Sequence, residues 1–130
     1  MFTIDQIKEA HSKVKSGTDF PTYIQALIKL GVIRYITYVT DGHTVYFGNN
    51  NYQVQSEAKY SIKEIEEINV NQFLQALKTH QDGQTDYLTF CSQSAGFGID
   101  NWEVNTIEMT CTYHDKIRNK ILIEKIPTNE

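Results

Sequence analysis

Along this chain the spacing of apolar positions alternates between two periods. Ile4, Ile7, His11 and Val14 share one helical face, and Thr3 with Gln6 forms a capping box, so a helix is predicted over about Ile4 to Lys15. After a break at Ser16 to Thr18, Tyr23, Leu27 and Leu30 return to helical spacing. Asp19 is the N-cap candidate, Pro21 suits the first turn and Gly31 suits a left-handed exit, which predicts a second helix over about Pro21 to Leu30. The period then becomes that of strands. Ile33 to Thr40 and His43 to Gly48 flank Asp41-Gly42, the pattern of a hairpin with a two-residue turn, which would set Tyr38 opposite Val45 and Ile36 opposite Phe47. Asn49 to Asn51 reads as a turn needing left-handed conformations, and Tyr52 to Gln55 as a short third strand.

The order then repeats. Ser56 to Ile68 is a connector in which Ile62, Ile65 and Ile68 would fit one helical face but lack a cap. Asn69 can cap a helix over about Val70 to His80 with the stripe Val70, Phe73, Leu74 and Leu77, and Asp86 can cap another over about Tyr87 to Ala95. Strands are predicted over about Asn101 to Asn105, Glu108 to His114 and Lys120 to Ile126, with Thr128 to Glu130 a frayed end. The stretch GTDFPTYIQALIKLGVIRY, Gly17 to Tyr35, returns in degenerate form as GQTDYLTFCSQSAGFGIDNW, Gly83 to Trp102. Asp19 and Asp86, Thr22 and Thr89, and Gly31 and Gly98 then correspond, and Tyr35 corresponds to Trp102. The expected fold is α+β: internally duplicated helix-helix-strand-strand-strand units with an antiparallel sheet and a pseudo-twofold axis. One domain over residues 1–130 would contain two halves, about 1–60 and 67–127, with Tyr35 and Trp102 near the seam.

Composition narrows the setting. A chain of 130 residues can bury a core without staples, and 2 cysteines with no metal-ligand spacing predict free thiols in a reducing, cytoplasmic location. With 12 Lys and Arg against 16 Asp and Glu, the net charge is -4 and dispersed, so neither nucleic acid nor membrane is expected as a partner. The first residues lack the pattern of a signal peptide, and no window is long and apolar enough for a bilayer span. No phosphate loop, zinc spacing or serine elbow is present, and no cofactor or metal is expected.

The segments YVTDGHTVYFG (Tyr38 to Gly48), YQVQSEAKY (Tyr52 to Tyr60), TDYLTFC (Thr85 to Cys91) and MTCTYHD (Met109 to Asp115) resemble the YbcV-like family of short bacterial proteins of unknown function, often labelled phage envelope protein. The resemblance covers nearly the whole chain and implies a bacterial or prophage-encoded source but no catalytic motif. The envelope label finds no counterpart in a signal peptide, span or basic arm. Family members commonly have Pro where this chain has Leu88.

Chemistry has few candidates. Asp41 and His43 place an imidazole beside a carboxylate, as do His114 and Asp115 at a hairpin end, but turn chemistry accounts for Asp41 and the start of a strand for His43. Cys91 and Cys111 fall on apolar faces, where cysteine is usually a small core residue. Tyr35, Tyr38, Tyr46, Phe47, Tyr52, Trp102 and Tyr113 all fall on predicted strands and occupy both faces of the first ribbon. If helices cover one face only, the rest form a patch suited to a protein partner, a homodimer or a ligand. The binding candidates are Tyr35, Tyr46, His43 and Trp102, in a non-enzymatic interaction module. The alternative is a small enzyme using His43 with Asp41, or Cys91 with a histidine, in a cleft between the halves.

Overall fold

A computed structural model describes residues 1–14 and 19–127. Helix α1 (Ile4–His11) begins with the expected box, in which Thr3 Oγ1 accepts from the Gln6 N–H and Gln6 Oε1 from the Thr3 N–H. It ends before Lys15 because the Ser12 hydroxyl donates back to the Glu9 carbonyl, and the backbone tightens to i→i−3 bonds at Lys13 and Val14. The expected helix end at Lys15, the break at Ser16 to Thr18 and the frayed end at Thr128 to Glu130 lie outside the described residues. Helix α2 (Phe20–Leu30) starts at Asp19, which makes no side-chain capping bond, and ends at Gly31 with φ 102°. Its counterpart α4 (Tyr87–Gly96) is capped as expected, Asp86 Oδ1 accepting from the Thr89 N–H at 2.7 Å, and Gly98 behind it has φ 94°. Between them α3 (Val70–Gln81) is capped by Asn69.

Six strands, β1 (Arg34–Tyr38), β2 (Thr44–Phe47), β3 (Gln53–Gln55), β4 (Ile99–Asn105), β5 (Thr110–Asp115) and β6 (Lys120–Lys125), form one antiparallel sheet in the order β3-β2-β1-β4-β5-β6. The fold is α+β as expected, and the strand order of the second half mirrors that of the first. Tyr35 pairs with Tyr46 and Trp102 with Tyr113, and each second-half residue lies 67 positions after its first-half counterpart.

One expectation is corrected. The hairpin turn is not the two residues Asp41-Gly42: Ile36 faces Val45 and Thr37 faces Thr44, so the loop is the four residues Val39 to Gly42. Val39 is fully buried and its N–H bonds the Asp100 carbonyl, which pulls it from the ladder. The Gly42 N–H closes the turn on the Tyr38 carbonyl. The slip is two residues, so every side chain keeps its expected face. The connector holds no helix or strand, as its missing cap suggests. It runs as a strap whose Lys59, Tyr60 and Lys63 N–H groups bond carbonyls of the hairpin loop, and whose Glu66 and Asn69 N–H groups bond the Ala95 and Phe97 carbonyls. Ile65 and Ile68 pack on the core while Ile62 stays 81% exposed.

Helices cover one face of the sheet. Tyr35, Thr37, Thr44, Tyr46, Trp102, Val104, Cys111 and Tyr113 point into that layer and are buried with Ile24, Leu27 and Phe73 from the helices.

Candidate functional site

The covered face carries an unusual number of hydroxyls. Thr37 and Thr44, opposite each other, share a hydrogen bond of 2.9 Å, and the Tyr46 hydroxyl interacts with Thr44 and with Tyr23 of α2. Burial raises the pKa of Tyr23, Tyr35 and Tyr46, and in Tyr23 and Tyr35 the neighbouring tyrosines add to it. These phenols stay neutral and serve as hydrogen-bond groups, not as bases. Trp102 packs on Phe90 and Tyr113 at ring separations of 5.5 and 6.0 Å. Tyr35, Tyr46 and Trp102 thus share the covered face, on β1, β2 and β4, with Tyr35 against Tyr46 and Trp102 among Tyr87, Phe90 and Tyr113.

Cys91 belongs to the same layer. It is fully buried on α4, next to the hydroxyls of Tyr60 from the strap and Tyr87 from the helix start. Tyr87 is 37% exposed as a residue, yet its hydroxyl end is enclosed beside Cys91, and that enclosure raises its pKa. Burial raises the Cys91 thiol, against the opposing pull of the two hydroxyls, and pushes the Cys111 thiol up to about 12. Both cysteines are free and protonated, the inert form of the side chain.

His43 is elsewhere. It sits on the uncovered face at the loop end of the hairpin, stacked on Tyr38 with ring centroids 4.7 Å apart. Burial pushes the Asp41 carboxyl up, but the backbone N–H and ring of His43 outweigh it, so Asp41 lies below the usual range. An ionised carboxylate only accepts, so His43 Nδ1, 2.5 Å from Asp41 Oδ1, is the donor, and Nε2 takes no part in this bond. The second pair does not form. His114 Nδ1 donates to Asn101 Oδ1 at 3.0 Å, while Asp115 accepts from the backbone of Ile117 and Asn119. The hydroxyl neighbours of Cys91 are Tyr60 and Tyr87, and His43 is not among the groups that perturb its thiol.

The uncovered face differs between the halves. In the first it carries Arg34, Ile36 and Tyr38 on β1 and, across the ladder, Phe47, Val45 and His43, all part-exposed. The Arg34 guanidinium lies 3.8 Å over the Phe47 ring and 3.6 Å from Glu103. At the corresponding places, 67 positions on, the second half has Asn101, Glu103, Asn105, Thr110, Thr112 and His114. Sequence reasoning missed this contrast, although the offset was readable from the repeat. It becomes visible only when the register assigns each residue a face. A separate shallow groove of about 260 Å³ lies between α1 and α2, over Ala10, Val14, Tyr23 and Leu30, and includes none of the expected site residues. Among the described residues no group of three or more His, Cys, Asp or Glu could hold a metal, and no helix is long and apolar enough to cross a membrane.

The sequence matches the family described as protein of unknown function (DUF1398) over residues 8–125. The chain belongs to the DUF1398 family. No curated protein matches it. The match to DUF1398 takes in the last turn of α1, the other three helices and all six strands, so the family description spans the covered hydroxyl layer and the uncovered hairpin face together, without an activity for either.

Proposed function

We propose that this chain is a non-catalytic binding module of the bacterial cytoplasm, a single domain built from two duplicated halves, that works through the uncovered face of β1 and β2. The observation that carries the reading is the contrast between the halves. The second half builds its two inner strands, β4 and β5, with Asn, Glu, Thr and His outside, and its one outward isoleucine, Ile123, lies on the edge strand β6. Apolar residues on that face are therefore not required to build the sheet, and Ile36, Tyr38, Val45 and Phe47 need another explanation. Covering them by a partner supplies one, since each part-exposed ring or branched side chain forgoes roughly a kcal/mol of burial. Of the four expected binding residues, His43 stands at the rim of this face, while Tyr35, Tyr46 and Trp102 form the packed layer beneath it.

One observation favours an enzyme instead: the Asp41 carboxylate holds Nδ1 of His43 and so orients the ring, the arrangement that positions an imidazole for proton transfer. Against it, the two thiols are buried and protonated. A fragment screen followed by amide shift mapping tests the reading. Perturbations clustered at Ile36, Tyr38, Val45 and Phe47 support it, and perturbations confined to the helical layer around Tyr87 and Cys91 overturn it.

A further inference from the structure

The uncovered hairpin face is complementary to itself. Each of its cross-strand pairs joins unlike members: Arg34 with Phe47, Ile36 with Val45, and Tyr38 with His43. A twofold axis lying parallel to the strands and passing between β1 and β2 exchanges the two strands when one copy is laid on another. Arg34 then meets Phe47, Ile36 meets Val45 and Tyr38 meets His43 of the second copy. The same operation lays β4 over β3, so Glu103 faces Gln55 and not a second carboxylate. An axis across the strands would instead set Ile36 on Ile36 and Glu103 on Glu103.

Resting on the binding-module reading, we propose that the occupant of this face is a second copy of the chain, docked hairpin on hairpin about that axis. The cation–π pair already made within each copy, Arg34 over Phe47, supplies the chemistry for the intermolecular one. Four strands of about five residues cover roughly 19 by 17 Å. That footprint is below the roughly 800 Å² per partner of a standard stable interface, which makes the dimer weak and concentration-dependent. The outer faces of β5, with Thr110, Thr112 and His114, and of β6, with Ile123, stay outside it.

Sedimentation equilibrium from micromolar to millimolar protein tests this, with circular dichroism to confirm that each variant is folded. The wild type is expected to pass from monomer to dimer, Ile36→Glu to remain monomeric at least tenfold higher in concentration, and Thr112→Glu, on the second half, to behave as wild type. A short bis-maleimide gives the geometry, because the native thiols are buried. It should cross-link a mixture of Ile36→Cys and Val45→Cys chains far more than either alone. A wild type that stays monomeric throughout overturns the dimer, as does a dimer indifferent to Ile36→Glu or one cross-linked equally well through Thr112→Cys. Fragment binding at the hairpin face with a strictly monomeric protein would sink this inference alone and leave the binding-module reading in place.

Discussion

Gly98 combines a backbone φ of 94° with a strap so close that an added Cβ would lie 2.3 Å from the Ile68 Cα. Both penalties fall on one residue, so Gly98→Ala should cost more than about 2 kcal/mol in urea unfolding. Gly96, two residues earlier, ends α4 with nothing among the described residues within 4 Å of the same added atom. Gly96→Ala should therefore stabilise by about 0.5 kcal/mol, through helix propensity and a less free unfolded chain. Equal effects at the two positions would contradict the placement of the strap. The thiols make a second test at this scale. Cys91 and Cys111 should resist a water-soluble disulfide reagent in the native protein and react promptly in denaturant, and fast labelling of the native state would reopen a nucleophilic role.

Among elements, the helices were readable because caps and periodicity are local. Asn69 and Asp86 make their capping bonds where the sequence places them. Asn69→Ala should cost about 1 kcal/mol, measured by thermal or urea unfolding, since α3 then begins with an unsatisfied N–H. The hairpin loop and the strap were not readable, for a common reason. Asp-Gly favours a two-residue turn in isolation, but here Val39 is drawn into the core and the Asp41 carbonyl receives N–H groups from Lys59 and Tyr60. Contacts nearly 20 residues away thus decide a local geometry. The strap is the other partner in those bonds, and its isoleucine spacing imitates a helix because Ile65 and Ile68 meet the core singly. The candidate site was legible in part: the aromatic surplus on both sides of the ribbon is in the sequence, whereas the placement of His43 on the side opposite Tyr35, Tyr46 and Trp102 follows from tertiary packing.

For the whole molecule, acid should weaken folding in two stages. In each half a histidine on the first helix lies against an aromatic ring of the second: His11 against Tyr23 at 5.2 Å, edge-on, and His80 against Phe90 at 4.4 Å, stacked. Burial lowers the pKa of both, helped at His11 by Lys59 and opposed at His80 by the Thr85 carbonyl and Asp86. The folded state then binds fewer protons than the unfolded one below the unfolded pKa of about 6.5, so stability is complete above that pH and declines as pH falls through the lowered values. Asp41, Asp86 and Asp115, all lowered, add a second decline beginning near the ordinary carboxylate pKa of about 4. His80→Phe should flatten the first stage, as followed by unfolding midpoints between pH 7 and 5. An unchanged slope would mean that the imidazole is equally solvated in both states.

The pairing of β1 with β4 also sets a timetable for synthesis. When Gln55 has emerged, the first three strands can associate, but β1 has no neighbour on its other side until Asn105 follows, some 50 residues later. At roughly 5–20 residues per second, translation leaves that edge bare for several seconds. During this interval a nascent chain offers Arg34–Tyr38, with a tyrosine on each face, to any neighbouring nascent chain on the same message. Codon choice over the strap and α3, which governs how long the interval lasts, is therefore a determinant of yield that no substitution in the folded protein would expose.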